Sequence, residues 1–261
     1  MRGLCDSLSS RARGTITVFN GQVAMEAQEL FFEQIRSGGC LSYILGCKRE
    51  KVCVVIDPEV DKMEEYLGMA EDLSSRLLYA IDTHTHADHS SACKLLRDRA
   101  GLKVVMHRAS EAPYVDLKVD EGDKIRCGQI AVQVLYTPGH TEDSTCLLVG
   151  DMIFTGDTLL IGGCGRTDLP GGNAEKQYES LLRLASMDER IRVFPAHDYR
   201  PTFSTLGDEK KSNPRMLVGS REAFVHLMTS RKPPLPRKFH SAIEWNRSPV
   251  QGTQRGFGEG I

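Results

Sequence analysis

Seven side chains that bind metals well recur in four short segments of this 261-residue chain. They are His84, His86, Asp88 and His89 in "THTHADH", His140 in "TPGHT", Asp157 in "FTGDTLL" and His197 in "FPAHDY". Burying so many polar groups without a partner would be costly, and a bound cation would be that partner. His84 and His86 are two apart, so in an extended segment they point the same way. Asp88 and His89 follow where the chain bends towards a helix, which predicts ligands for two adjacent pockets. An aspartate between the pockets could bridge two metals or orient a water. A set of imidazoles and carboxylates without a thiolate suits Zn, Fe or Mn about equally. Isolated histidines such as His107, His226 and His240 read as surface or satisfied core residues.

Each ligand segment follows an apolar run, as expected if strand ends converge on one sheet edge and carry loops there. "LSYILG" and "KVCVVID" read as two strands joined by a turn. "DKMEEYLGMAEDL" has a helical apolar stripe at Met63, Leu67 and Ala70. "RLLYA" reads as a strand, and the segment around Ala92, Leu95 and Leu96 as a helix. Further on, "QIAVQVLY" alternates with period two, and "STCLLVGDMIFTGD" reads as a hairpin turning at Gly150-Asp151. "EKQYESLLRLASM" and "REAFVHLM" read as helices. Strand–helix alternation mixed with hairpins predicts sheets covered by helices. Residues 1–28 read as an N-terminal tail, 29–238 as one catalytic domain and 239–261 as a C-terminal tail.

The formal net charge of -2 offers nothing to nucleic acid or an anionic membrane, and no apolar run could span a bilayer. Eight cysteines without Cys-x-x-Cys spacing read as free thiols in or near the core, which fits the cytoplasm or the mitochondrial matrix. The start, "MRGLCDSLSSRARG", has the Arg- and Ser-rich composition of an organellar transit segment, though without an amphipathic stripe.

Together, "THTHADH", "PGHT", "TGD" and "PAHDY" resemble the metallo-β-lactamase superfamily in its glyoxalase II-like branch. That resemblance implies an α/β (α+β) fold, the αββα sandwich. All seven positions that a dinuclear hydrolase of the superfamily uses are present. "LLIGGCGRTDLPGGN" and "SNPRM" are in addition similar to persulfide dioxygenases. This closer likeness implies one Fe(II) per chain held by His84, His140 and Asp157, a two-His, one-carboxylate triad. It leaves His86, Asp88, His89 and His197 around those ligands, with Zn or a second metal as the alternative filling. The implied reaction converts glutathione persulfide, O2 and water to sulfite and glutathione. Arg166, Tyr199 and Arg215 become candidates to grip the carboxylates of glutathione, and Cys164 to touch its sulfur. Asp198 could orient His197, and the resemblance leaves a homodimer open, the sequence itself not giving the oligomeric state. The alternative is a dinuclear-metal thioester hydrolase of the glyoxalase II type.

Overall fold

In a computed structural model the described residues are 30–197, 203–230 and 232–249. Twelve strands among them form two six-stranded sheets. The first sheet runs in order β1 (Leu30–Ser37), β2 (Cys40–Cys47), β3 (Val52–Ile56), β4 (Arg76–Ile81), β5 (Lys103–His107) and β6 (Leu117–Val119). The second runs β12 (Ser204–Thr205), β11 (Arg192–Pro195), β10 (Met152–Gly156), β9 (Thr145–Val149), β8 (Ile130–Tyr136) and β7 (Lys124–Cys127). Helices α1 (Met63–Asp72) and α2 (Cys93–Ala100) lie on the outer face of the first sheet. Helices α3 (Ala174–Ala185), α4 (Leu206–Ser212) and α5 (Arg221–Thr229) lie on the outer face of the second. The result is the αββα sandwich expected from the motifs.

Side-chain alternation builds these layers. On β2, Leu41, Tyr43 and Leu45 enter the core between the sheets, while Ile44 packs outward under the helices. On β3 every residue is buried, Val54 and Ile56 facing inward and Cys53 and Val55 outward. A strand covered on both faces has to read as a continuous apolar run, as "VCVVI" does. Tyr43 ties the two sheets together: its hydroxyl donates to the Pro195 carbonyl at 2.6 Å and its ring meets Phe154 edge-on at 5.0 Å. Five cysteines (Cys47, Cys53, Cys93, Cys127 and Cys146) are buried free thiols. Burial pushes Cys53 and Cys127 up to about 12, so these are core residues and not nucleophiles.

Strand direction explains where the ligands meet. β3 and β4 pair in parallel, as do β10 and β11, so each pair delivers its carboxyl ends side by side. β8 is antiparallel to β9, which is antiparallel to β10, so β8 ends at the same edge as β10. At that edge the sheets are linked by the Leu41 N–H donating to the Ala196 carbonyl at 2.7 Å.

The expected boundary at residue 238 is corrected. Residues Phe239–Arg247 form helix α6, in which Ala242 and Asn246 are buried. The segment therefore continues the fold and is not a tail. Its helical period is hard to see in "FHSAIEWNR" because it docks through polar side chains and not through an apolar stripe. Strands β1, β6 and β7 are also absent from the sequence reading. Residues 1–28 lie outside the described residues.

Candidate metal centre

The loop from Asp82 to Ser91 leaves β4 and enters α2, His140 follows β8, Asp157 follows β10 and His197 follows β11. One nitrogen or oxygen from each of His84, His140 and Asp157 can be chosen so that all lie within 4.8 Å of one another. The His140 Nε2 stands 3.5 Å from Asp157 Oδ2. On the other side of the same carboxylate, His197 Nε2 lies 3.3 Å from Asp157 Oδ1 and 3.4 Å from Asp88 Oδ2. His89 Nδ1 is 3.3 Å from Asp88 Oδ1. Asp157 thus stands between two sets of donors.

The alternation in "THTH" separates supports from ligands. The Thr83 hydroxyl donates to Asp57 Oδ2 at 2.9 Å and its N–H to Asp57 Oδ1 at 2.7 Å. With its proton spent on Asp57, Thr83 Oγ1 accepts from His84 Nδ1 at 3.0 Å, which leaves the other ring nitrogen of His84 for a ligand. Thr85 is held the same way by Asp143, at 3.2 Å to its N–H and 2.6 Å to its hydroxyl. His140 Nδ1 donates to the Arg166 carbonyl at 2.7 Å, so its Nε2 is the one turned to Asp157. Such outer hydrogen bonds fix the tautomer and aim the ring. His86 differs. Its Nε2 is directed at the buried carboxylates of Asp57 (3.2 Å) and Asp82 (3.7 Å).

Two glycines let these groups approach. Gly156 has φ +50, and a Cβ there would come within 2.5 Å of Thr83 Oγ1. At Gly165 a Cβ would lie 2.4 Å from the Asp157 carbonyl oxygen and 2.7 Å from His140 Nδ1.

The unpaired atoms point to a cation. Both ring nitrogens of His89 and Oδ1 of Asp157 are buried and make no well-formed hydrogen bond, although Asp88 Oδ1 and His197 Nε2 stand 3.3 Å from His89 Nδ1 and Asp157 Oδ1 respectively. Burial, with His86 and His140 adding to it, drives His84 down to about 3, so its imidazole is neutral and ready to ligate. Burial opposes the charged forms of His197 and His89, yet Asp157 and Asp88 hold both imidazoles well above their ordinary values. Burial likewise works against ionised Asp157 and Asp88, and the imidazoles around them still hold both carboxyls low. The donor set of neutral imidazole, ionised carboxylate and unsatisfied buried nitrogen fits a divalent ion.

A cavity of ≈ 470 Å³ opens over this centre, lined by Cys40, Asp88, His140, Asp157, Cys164 and Arg166 among others. A second, of ≈ 540 Å³, shares Cys164 and Arg166 with it and is also lined by Arg215 and Lys232. Arg166 itself is already committed. It makes two hydrogen bonds of 2.7 Å to Asp168 and donates to the carbonyls of Pro234 at 2.7 Å and Pro233 at 2.8 Å. It braces the cavity wall, and its own carbonyl orients His140. Cys164 lines both cavities as a thiol that burial pushes up to about 12. Tyr199 and Asp198 lie outside the described residues.

Sequence reasoning missed Asp57, Asp82, Asp143 and Cys40. The first two stand at strand ends, "VVID" and "YAID", the same signal that exposed Asp157. Cys40 donates from Sγ to Asp88 Oδ2 at 3.2 Å. Its only sequence cue is a position beside two glycines, Gly38 and Gly39, ahead of a strand.

The fold and this edge-on cluster define a class of protein, and comparison with known proteins agrees. The Metallo-beta-lactamase superfamily matches residues 35–197. The human "Persulfide dioxygenase ETHE1, mitochondrial" is 38% identical over 210 residues, 78% of this chain and 82% of that protein. The crystal structure of ETHE1 from Myxococcus xanthus superposes with a TM-score of 0.81 at 39% identity, covering 83% of this chain and 98% of that one. A crystal structure of TTHA1623 in a di-iron-bound form is 29% identical with a TM-score of 0.60, covering 70% of this chain and 98% of that one. The chain belongs to the metallo-β-lactamase superfamily and, within it, to the persulfide dioxygenase family.

Proposed function

We propose that the protein is an iron-dependent persulfide dioxygenase that takes glutathione persulfide, O2 and water to sulfite and glutathione. The observation that carries this reading is the His84–His140–Asp157 set, of which His140 and Asp157 line the cavity. Both imidazoles have one nitrogen fixed by an outer hydrogen bond, the other nitrogen of His140 stands beside Asp157, and one donor atom from each of the three residues lies within 4.8 Å of the others. Fe(II) held by two imidazoles and a carboxylate keeps positions for a sulfur ligand and for O2, and supplies redox chemistry that Zn lacks. The likeness to the human persulfide dioxygenase supports a persulfide and O2 as substrates.

The chain's own residues would do the rest. Arg215 and Lys232, lining the adjoining cavity, are the cations available to the carboxylates of glutathione. Arg166 acts by bracing the wall. Cys164, where the two cavities meet, is a protonated thiol beside the path of the persulfide. His197, which lies between Asp88 and Asp157, would hold the water that completes sulfite release. His86, Asp88 and His89 shape the centre without binding the iron directly. Among the described residues no helix is long and apolar enough to cross a membrane, and the human relative is named as mitochondrial.

One observation favours a second reading. The buried His89–Asp88 pair, with His89 Nε2 lacking a hydrogen-bond partner, would suit another ion, and a dinuclear centre would serve thioester hydrolysis. The test compares the iron-loaded protein on two substrates. Oxygen uptake and sulfite from glutathione persulfide are expected. Hydrolysis of S-lactoylglutathione with two metals per chain, and no oxygen uptake, would overturn the proposal.

A further inference from the structure

Residues 82–91 belong to no helix and no named strand, so their backbone groups need partners from elsewhere. Helix α6 supplies those of His86, His89 and Ser91. Asn246, 2% exposed, uses its whole carboxamide on this loop. Its Nδ2 donates to the carbonyls of His86 and His89, each at 2.9 Å. Its Oδ1 accepts from the Ser91 N–H at 2.9 Å. The neighbouring Trp245 donates from Nε1 to the Ser91 carbonyl at 2.9 Å. Lys94 in turn lies 3.8 Å over the Trp245 ring and donates to the Trp245 carbonyl at 2.8 Å. The two carbonyls that Asn246 holds belong to residues whose imidazoles face the centre, one towards Asp57 and one beside Asp88.

We propose that Asn246 is a positioning residue of the metal centre. It pegs the span His86–Ser91 from outside the cavity and so sets the spacing of His86, Asp88 and His89 from His84. Asp57 and Asp143 hold the first half of the motif through Thr83 and Thr85. Asn246 holds the second half. An amide suits the task because two donors must meet two carbonyls while one acceptor meets an N–H. The inference rests on the reading of this cluster as a metal centre and not on which reaction occurs there.

The test is the affinity of the full chain for Fe(II) and for Co(II), measured by competition with a chelator. Asn246→Ala is expected to weaken binding by about 10–100-fold, as loss of outer supports does at metal sites. The Co(II) absorption spectrum is expected to change, and kcat to fall while KM for the persulfide holds. Asn246→Leu keeps the volume and removes all three hydrogen bonds, so it should fail as Asn246→Ala does. Wild-type affinity and spectrum in Asn246→Leu would show that packing alone matters and overturn the proposal. Asn246→Asp should not rescue, because it sets a carboxylate against two carbonyls. If the Asn246 variants do not fold, Trp245→Phe carries the test. It removes one hydrogen bond to Ser91, and an affinity loss of about 2–5-fold is expected; no loss overturns the proposal. Oxygen uptake by the wild-type protein is read separately. A wild type that binds metal but uses no O2 defeats the dioxygenase reading and leaves the affinity comparison standing.

Discussion

The two halves of the centre share Asp157 and use the same residue types, yet they stand in opposite states. On one side His84 and His140 give their outer nitrogens to neutral oxygens, Thr83 Oγ1 and the Arg166 carbonyl. Burial keeps His84 uncharged, so ligation there requires no proton loss from that ring. On the other side His89 and His197 face Asp88 and Asp157, and those carboxylates raise both imidazoles well above their ordinary values. That half neutralises itself. Metal ligands must be deprotonated to bind. Surroundings, and not ligand identity, therefore distinguish the two positions in the metal-free protein.

Removing a ligand of the first half should give the largest effect. His84→Ala is expected to lose bound iron and to lower oxygen uptake by about 100-fold or more, since even outer supports contribute 10–100-fold. Elemental analysis with an oxygen electrode checks it, and iron retained at wild-type level would reverse the roles of the halves. Gly165→Ala comes next. Its Cβ must displace the Asp157 backbone or the His140 ring, at about 1–3 kcal/mol of overpacking. Thermal unfolding and metal content should fall together, whereas a stable, fully loaded variant would mean the ligands can move apart. His197→Gln acts on the second half. About tenfold loss of kcat with iron retained is expected, and loss of the iron would show that the halves are not separable.

The cavity walls offer a milder test. Arg215→Ala should raise KM for glutathione persulfide by about tenfold, the worth of one charge-assisted hydrogen bond. Arg166→Ala should lower stability more than it changes KM, because its donors are spent on Asp168 and on two carbonyls. The reverse pattern would return the grip to Arg166.

Titration gives the smallest and most discriminating effect. His89 and His197 have raised values in the fold, so the stability they lend the metal-free protein is full below about 6.5 and fades as pH climbs through those raised values. Binding at the second position must expel those protons. A second metal equivalent should therefore bind more tightly as pH rises above about 6.5, with a steeper dependence than the first. Isothermal titration at several pH values reads both equivalents, and equal slopes would remove the distinction between the halves.

Much of this was legible in the chain. Dense His and Asp at the ends of apolar runs marked the centre, because buried strands must be apolar and their ends are where polar groups can emerge. The hairpin at Gly150-Asp151 and the helices around Leu96 and Phe224 were visible from their periods. β6 and β7 were not, being short and half polar, "LKV" and "KIRC". α6 was hidden because its docking surface is an amide, an indole N–H and an alanine. Arg166 was read as a grip because a guanidinium binds carboxylate bidentately, and only the tertiary structure shows its donors meeting Asp168 and two backbone carbonyls.

The sequence by itself determined the donor types, their order, and their gathering at strand ends, since alternation and apolar runs dictate two covered sheets. Tertiary structure decided which donor faces which. Asp57 reaches Thr83 across 26 residues, Arg166 reaches His140 across 26, and Asn246 reaches His86 across 160. Those partners set tautomer, charge and spacing. Electrostatics and hydrogen bonding act over a few ångströms of space and take no account of distance along the chain.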